Sequence, residues 1–346
     1  MDRLSQISFV AIILVVFIHG YNVSVVIAGQ PVGELYAMDW WIQSFIGDGL
    51  SRVGVPLFFT ISGYRYSYGI DKFTPGIWWQ KLKKRFKSLV IPFFTWSILG
   101  LLFVVALQLF PMSKPYFNSE PILSRTPLEL LQLIFVNPFP YQLWFLQVLW
   151  LLVLISPVFL LFVKFVDFRF GIILLVILWV FEGGYNGWSE YFFEGATFFT
   201  FGIMLQKQPT YFRPGNLSCW MAVLWIFMIV LKLWLISNGE VFWADICSKA
   251  SVVVGMLVVW QYASPLISKL RISKLVIAQT FFIYLAHEPL LTLVKKGLLV
   301  NSSPLNEYLA LVYFISVGVT ILIVLFWGRF LNRFLPNVYS FLIGGR

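Results

Sequence analysis

Residues 309–328, with the sequence LALVYFISVGVTILIVLFWG, contain no charged side chain and decide the class of fold. In a helix, about 20 residues span about 30 Å, which is the thickness of the hydrocarbon core of a bilayer. The rest of the chain is similarly apolar, since 60% of its residues are hydrophobic and only 12% are charged. A soluble fold cannot bury this much apolar surface, so lipid is expected to cover the excess.

The apolar residues come in unbroken runs rather than in strict alternation, which favours helices over a transmembrane β-barrel. We therefore predict an all-α, polytopic transmembrane helical bundle of about ten helices that forms a single domain over residues 1–346. The predicted helices cover residues 7–27, 50–68, 88–110, 140–163, 168–182, 190–206, 217–236, 246–263, 275–295 and 306–331.

Positive charges are distributed unevenly between the two sides of this bundle. With the N-terminus inside, 18 of the 25 Lys and Arg residues lie in cytoplasmic segments. Six lie on the opposite side, namely Arg52, Lys114, Arg125, Lys249, Lys295 and Lys296, and Lys232 lies inside the seventh predicted helix near its outer end. This bias predicts cytoplasmic N- and C-termini, and it explains the net charge of +10 without a nucleic-acid partner. The alternative for the start of the chain is a cleaved signal peptide with a cut near Ala28.

The two cysteines, Cys219 and Cys247, lie far apart in or near predicted helices and have no CxxC or His-rich neighbour. Neither a disulfide framework nor a metal site is therefore expected. The cysteines are interpreted as inert packing residues, and the chain is expected to bind no metal.

The chain has only two histidines, His19 and His287, and each lies about twelve residues into a predicted helix. Both helices run outward, so both imidazoles are expected at a similar depth, about 18 Å into the bilayer. Ionisable groups are costly there and are functional candidates by default. A neutral imidazole can take a proton from a sugar hydroxyl and return it to a thiolate, so we predict His19 to be the catalytic base of an acyl transfer. The alternative is a buried histidine that hydrogen-bonds a neighbouring helix.

Polar residues cluster around the second histidine. Tyr284 precedes the pair His287 and Glu288 by three and four residues, so the three side chains share one helical face. We predict that they bind and orient the substrate. The alternative is a polar cluster with a purely structural role.

Arg52 lies near the outer end of a segment in which Gly54, Pro56 and Gly63 permit a close helix approach or a helix break. In membranes such breaks occur where they line a cavity or are buried in protein. Arg52 is therefore predicted to bind an anionic or polar acceptor. The alternative is an arginine that extends from the helix to the membrane interface.

The densest run of basic residues occupies positions 81–87, on the predicted cytoplasmic side. Positive charge at this place favours a phosphorylated donor, so Lys84, Arg85 and Lys87 are predicted to bind acetyl-CoA or another acyl-CoA. Orientation of the chain and attraction to anionic membrane lipids are the alternative explanation.

Several segments, taken in order and with their spacing, resemble the acyltransferase-3 family of integral membrane acyltransferases, especially its envelope-glycan O-acetyltransferase branch. They are AIILVVFIH at 11–19, Arg52 with VPLFF at 55–59 and SGY at 62–64, Lys84-Arg85 with Ile91-Pro92, LWFL at 143–146 with Ser156-Pro157, FTFG at 199–202, and FFIYLAH at 281–287. The resemblance implies a ten-helix domain that transfers an acyl group, commonly acetyl from cytoplasmic acetyl-CoA, to a sugar hydroxyl. It also implies that His19 is the catalytic histidine. Tyr64 and Trp144 belong to these motifs and are predicted to bind substrate.

Two positions depart from the pattern of this family. Many members have an arginine eleven residues before the catalytic histidine and another after the Trp-Phe-Leu motif, whereas this chain has Ser8 and Gln147. These differences leave open an altered donor site or an inactive member.

Together these observations predict a membrane-bound O-acyltransferase of the cell membrane that modifies a cell-surface glycan or its lipid-linked precursor. Membrane lipids are expected to surround it, while its oligomeric state and the choice between base and acyl carrier for His19 stay open. A transporter or flippase for a glycan or lipid-linked sugar is the first alternative, although no paired broken helices of the kind common in transporters are evident. A non-catalytic partner in glycan assembly is the second.

Overall fold

The computed structural model describes residues 3–21, 25–27, 30–32, 37–70, 72–111, 113, 121–180, 187–208, 219–301 and 308–345. Within these residues, the regular structure is helical except for one hairpin, in which β1 (Val25–Ile27) pairs antiparallel with β2 (Gln30–Val32). The predicted all-α class of fold is thus confirmed for the described part of the chain.

The α-helices of the first half are α1 (Arg3–Gly20), α2 (Ala37–Gln43), α3 (Gly54–Ser67), α4 (Pro75–Arg85), α5 (Ile91–Leu109), α6 (Pro127–Phe135), α7 (Trp144–Leu154), α8 (Ser156–Phe165) and α9 (Phe168–Val180). Those of the second half are α10 (Trp188–Lys207), α11 (Trp220–Ser237), α12 (Val241–Lys269), α13 (Lys274–Ile277), α14 (Thr280–Ala286), α15 (Leu290–Asn301), α16 (Leu309–Phe334) and α17 (Pro336–Leu342). Short 3₁₀ or π-helical turns occupy Ser44–Gly49, Leu50–Val53, Phe86–Val90, Ile122–Ser124 and Tyr141–Leu143.

Several of these helices are suited to a bilayer. Five described segments are long and apolar enough to cross it, namely Arg3–Gly20, Pro75–Leu109, Trp220–Ser237, Val241–Lys269 and Leu309–Phe334. A sixth results if α7 and α8, bent by 61° relative to each other, count as one span. Large apolar side chains such as Phe227, Leu322 and Phe326 are more than half exposed, as expected of helices that contact lipid. The chain is therefore a multi-pass membrane protein.

Three predicted helices differ from the structure. The helix predicted at 7–27 ends at Gly20, because the β-branched run that follows forms the hairpin instead. The helix predicted at 140–163 is bent, since Pro157 cannot donate a backbone hydrogen bond and Ser156 Oγ bonds the Val153 carbonyl at 2.7 Å. The helix predicted at 275–295 is broken before Pro289 for the same reason, so α14 and α15 are separate.

The chain divides into two compact units. The first unit contains Met1–Val15, Phe45–Phe86 and Val148–Ala278, and the second contains Val16–Ser44, Lys87–Gln147 and Gln279–Arg346. The helix α1 begins in the first unit and ends in the second. Whether these units together form the single predicted domain stays a prediction.

The core of the first unit is the close crossing of α3 and α10. A Cβ atom on Gly63 would lie 1.9 Å from the Phe199 carbonyl oxygen, and one on Gly202 would lie 2.0 Å from the Thr60 carbonyl oxygen. Only glycine permits such an approach of two backbones, and small residues at helix contacts are typical of membrane bundles. The two glycines therefore set the distance between these helices.

The second unit is built around α16, which packs against α2, α14, α15 and α17. Its N-terminus is capped from α2, because Asp39 Oδ1 accepts a hydrogen bond of 2.8 Å from the Ala310 backbone N–H. Nearby, Ser97 of α5 donates to the Ile134 carbonyl of α6 at 2.8 Å. Satisfied helix ends of this kind are needed where no water is available.

Candidate active site

The two histidines of the chain meet in the second unit. His19 Nδ1 lies 3.3 Å from His287 Nε2, and the centroids of the two rings are 5.0 Å apart. His287 is fully buried, whereas His19 is half-buried. The imidazoles that the sequence analysis expected at a similar depth are thus in direct contact.

Hydrogen bonding defines which nitrogen of each neutral ring carries the proton. His287 Nδ1 lies 3.0 Å from the Ile283 carbonyl oxygen, which only accepts, so this nitrogen donates. His287 Nε2 is then the acceptor in the contact between the rings, and His19 Nδ1 is the donor. His19 Nε2 consequently carries a lone pair, and among the described residues no hydrogen bond to it is found. This nitrogen is the one suited to accept a proton or attack a carbonyl carbon.

The position of His19 follows from where α1 ends. His19 is the penultimate residue of α1, not a residue in its middle as predicted, because the helix stops at Gly20. Carbonyl groups at the end of a helix can lack intrahelical partners, and a buried lysine supplies one for Gly20. A buried tyrosine adds a second donor to the Phe17 carbonyl, which also accepts from the Tyr21 backbone N–H at 3.0 Å. Tyr313 Oη donates to the Phe17 carbonyl at 2.9 Å, and Lys295 Nζ donates to the Gly20 carbonyl at 2.7 Å. The backbone on both sides of the imidazole is therefore held.

His287 lies at the break between α14 and α15. Its backbone N–H still bonds the Ile283 carbonyl at 3.1 Å, and its carbonyl accepts from Leu291 N–H at 2.8 Å. The next residue, Glu288, is buried, and its carboxylate accepts from Thr292 Oγ1 at 2.9 Å. The break thus keeps its hydrogen bonds while placing a histidine and an acid next to each other.

An aromatic ring covers one face of His19. Tyr141 stacks on the imidazole with centroids 4.8 Å apart and an interplanar angle of 18°. Tyr141 is 49% exposed, so the partly exposed imidazole lies beside a ring that a ligand can contact. Sugars and acyl chains both pack favourably on aromatic surfaces.

The turn that carries Tyr141 is fastened to α14. Gln142 Nε2 donates to the carbonyls of Leu285 and Glu288 at 3.3 and 3.2 Å. In return, Tyr284 Oη donates to the Gln142 carbonyl at 2.8 Å. Tyr284 is 5% exposed, and its predicted contact with the substrate stays a prediction.

The structure brings together four of the predicted site residues, which are His19, Tyr284, His287 and Glu288. Trp144 begins α7 directly after the same turn and is half-buried. Lys87 also belongs to the second unit and is exposed. The assignment of Trp144 and Lys87 to substrate and donor stays a prediction.

The other predicted site residues belong to the first unit. Arg52 Nε lies 3.4 Å from Asp48 Oδ1, and the same carboxylate accepts from the buried Lys232 Nζ at 2.8 Å. The Arg52 side chain is 51% exposed, so part of its guanidinium is accessible to a ligand. Tyr64 packs near Trp260, with centroids 6.4 Å apart.

Lys84 and Arg85, the predicted donor residues of the first unit, differ in their surroundings. Lys84 is exposed, whereas Arg85 is half-buried and lies within electrostatic range of Arg65. Positive charges near each other attract an anion more strongly than isolated ones. This surface is suited to phosphate groups.

Sequence reasoning missed four residues that form the site, namely Tyr141, Gln142, Lys295 and Tyr313. Tyr141 and Gln142 directly precede the LWFL motif, so extending that motif by two residues would have included them. Lys295 was assigned only to the outward positive charges, yet a charge inside an apolar segment is the same signal that selected the histidines. Tyr313 had no distinguishing signal within its apolar run.

The order of the hydrogen bonds makes a testable prediction about His287. In His287→Gln the amide oxygen can occupy the place of Nε2 and still accept from His19 Nδ1–H, so acyl transfer is expected to stay within about 10-fold of wild type. In His287→Asn the shorter amide reaches only the place of Nδ1, so the tautomer of His19 is no longer defined and the turnover number is expected to fall by about 10²-fold or more. Steady-state kinetics of both variants test this, and equal rates for the two would contradict it.

A multi-pass helical fold that brings two histidines into contact fits the class of membrane-embedded acyltransferases. In agreement, residues 5–328 match the family described as Acyltransferase domain, and the chain belongs to this family. The resemblance to the acyltransferase-3 family is thus confirmed over nearly the whole chain.

A similarity to a particular protein extends this result. The chain is 25% identical to the succinoglycan biosynthesis protein ExoH of Rhizobium meliloti (strain 1021), over 360 residues that cover 99% of this chain and 92% of that protein. No solved structure gives a significant match.

Proposed function

We propose that this protein is an O-acyltransferase of the cell membrane that moves an acyl group, most simply acetyl, from cytoplasmic acyl-CoA to a hydroxyl of a cell-surface glycan or its lipid-linked precursor. The observation that carries the proposal is the lone pair on His19 Nε2, which follows from the hydrogen bonds of the histidine pair. As part of the proposal, ten helices cross the membrane and both termini are cytoplasmic.

The reaction requires one proton to move twice. His19 Nε2 takes the proton of the acceptor hydroxyl while the oxygen attacks the thioester carbonyl carbon, which forms a C–O bond. The C–S bond then breaks, and the departing thiolate receives the proton from His19 Nε2. The products are the glycan ester and free CoA thiol, and His19 returns to its initial state. Throughout, Nδ1–H of His19 stays bonded to His287 Nε2, which stabilises the charged imidazolium.

The same geometry supports an acyl carrier. His19 Nε2 attacks the thioester carbon, the C–S bond breaks and CoA leaves as thiolate. The hydroxyl oxygen then attacks the acyl carbon, the C–N bond to Nε2 breaks, and the hydroxyl proton neutralises the thiolate, so the products are again the ester, CoA thiol and neutral His19. Because Nδ1 is protonated in the resting state, this intermediate would be cationic and reactive. Rapid quenching with labelled acyl-CoA in the absence of acceptor distinguishes the two routes, since only the carrier route labels the protein at His19.

The donor is assigned to the positively charged positions Lys84, Arg85 and Lys87. CoA carries several phosphate charges, and cations near a partly buried arginine bind such groups by charge-assisted hydrogen bonds. The proximity of Arg65 to Arg85 supports an anionic ligand. Anionic lipid of the membrane surface is the alternative ligand for the exposed residues Lys84 and Lys87.

The acceptor is proposed to be a polysaccharide or its precursor. The relative ExoH is described as a succinoglycan biosynthesis protein, which supports a glycan. The half-exposed Tyr141 beside His19 supplies an aromatic surface suited to a sugar ring. Arg52 is proposed to bind a polar or anionic group of the acceptor.

A transfer assay tests this function against its alternatives. Purified full-length protein in detergent is incubated with acetyl-CoA and glycan extracted from cells that lack it, and CoA thiol and glycan ester are measured. We expect one ester per CoA released. A transporter or a non-catalytic partner would release no CoA above the protein-free control, and that result with several acyl-CoA donors would contradict the proposal.

A further inference from the structure

Lys295 is a buried lysine in an apolar helix next to the histidine pair. It is 8% exposed and belongs to α15, and its ammonium donates to the Gly20 carbonyl at 2.7 Å. Gly20 follows His19 directly, so the charge lies at the end of the helix that carries the imidazole. An ionised lysine inside the membrane is energetically costly unless its charge is compensated, so such residues are functional candidates.

Helix capping alone does not explain a lysine at this place. Three residues before Gly20, the neutral hydroxyl of Tyr313 donates to the Phe17 carbonyl at 2.9 Å, and this carbonyl also accepts from the Tyr21 backbone N–H at 3.0 Å. A neutral donor would satisfy the Gly20 carbonyl at a lower desolvation cost. The presence of a lysine instead of a neutral donor therefore indicates that a positive charge is needed beside His19.

Among the residues that the structure describes, no direct ion pair neutralises this ammonium. Glu288 is the acid whose charge acts on Lys295, yet no contact within 4.0 Å joins the carboxylate to Nζ, and the carboxylate is bonded to Thr292 instead. An ammonium has three N–H donors, and the Gly20 carbonyl uses one of them. A buried cation whose other donors have no partner in the described part of the chain is suited to stabilise a negative charge that forms nearby.

We propose that Lys295 stabilises the negative charge that develops on the thioester carbonyl oxygen, and on the leaving sulfur, during acyl transfer at His19. This inference rests on the proposed function. The attack of the hydroxyl oxygen on the thioester carbon moves an electron pair onto the carbonyl oxygen, and collapse of this intermediate moves it to the sulfur. A fixed cation in a low-dielectric site favours both charged stages over the neutral ground state, so its effect falls on the turnover number rather than on substrate binding.

Two substitutions separate charge from capping. Lys295→Gln keeps an N–H donor for the Gly20 carbonyl and removes the charge, so kcat is expected to fall about 10²-fold with KM for acyl-CoA and glycan changed less than about 3-fold. Lys295→Arg keeps the charge, and its kcat is expected to be at least about 10-fold higher than that of Lys295→Gln. Lys296→Gln, a neutral substitution of the neighbouring half-exposed lysine, is the matched control and is expected to leave kcat unchanged.

The neutral variant leaves Glu288 without its compensating charge and is at risk of misfolding. The double variant Lys295→Gln with Glu288→Gln removes both charges. Its kcat, relative to that of Glu288→Gln alone, measures the loss of the Lys295 charge when no buried carboxylate is left uncompensated. A kcat of Lys295→Gln, or of the double variant against its reference, within about 3-fold would overturn the proposal and leave Lys295 as a helix cap. Failure of the wild-type protein to release CoA and form ester in the transfer assay would instead overturn the proposed function, so the two failures are distinguishable.

Discussion

His19→Ala is expected to lower the turnover number for acyl transfer by about 10²- to 10⁴-fold, which is the usual contribution of a general acid–base residue. The substitution removes the only nitrogen at the end of α1 that carries a lone pair in the resting hydrogen-bond pattern. If His19 is an acyl carrier, the loss is expected at the upper end of this range or beyond, because no other group would form the intermediate. The measurement is the release of CoA coupled to ester formation, with purified protein.

The control for this substitution removes a comparable side chain from the same helix. Leu14 is half-buried and apolar, so Leu14→Ala reports the effect of lost packing on α1 without the loss of an imidazole. We expect Leu14→Ala to keep its rate within about 3-fold when compared at equal amounts of folded protein. A rate for His19→Ala equal to that of Leu14→Ala would remove the histidine from the mechanism.

Gly63→Ala and Gly202→Ala are each expected to prevent the first unit from folding normally. A Cβ atom at these positions would lie 1.9 Å and 2.0 Å from carbonyl oxygens of the facing helix. Carbonyl oxygens belong to the backbone and cannot move aside as a flexible side chain can, so α3 and α10 would have to separate. Overpacking usually costs about 1–3 kcal/mol, and contacts this short place the expected cost at roughly 3 kcal/mol or more.

Gly318→Ala is the matched control, because this glycine also lies inside a membrane-spanning helix but a Cβ atom there meets nothing within 4 Å. Alanine is favoured over glycine in helices by about 1 kcal/mol, so the control is expected to be neutral or slightly stabilising. Thermal unfolding of each variant in detergent, followed by size-exclusion chromatography, gives the comparison. If Gly63→Ala or Gly202→Ala melts at the same temperature as the wild type, the two helices are not packed as closely as described.

Much of the fold was predictable because lipid imposes a strong constraint on composition. Apolar runs identified the segments that became α1, α5, α11, α12 and α16. Their interruptions were harder to predict. Pro157 and Pro289 were visible in the sequence, but proline bends or breaks a membrane helix only where its neighbours supply the missing hydrogen bonds, as Ser156 does for the Val153 carbonyl. Such compensation depends on tertiary packing.

The site was predictable in its residues and not in its connections. Rarity and depth selected His19 and His287, but with a separation of 268 in sequence number nothing indicated that the two rings touch. The direction of the proton chain depends on the Ile283 carbonyl, a backbone group that no motif reveals. Tyr141 and Lys295 entered the site through the turn beside α7 and the break before α15, which the sequence analysis treated as continuous helices.

The most direct test of the central claim is the mass spectrometry of surface glycans from cells that lack this protein and are supplied with either the wild-type chain or His19→Ala. The account predicts that the wild-type chain restores an acyl mass on the glycan and that the variant, present in the membrane at the same level, does not. Full restoration by the variant would contradict the assignment of His19 as the catalytic group of an acyltransferase.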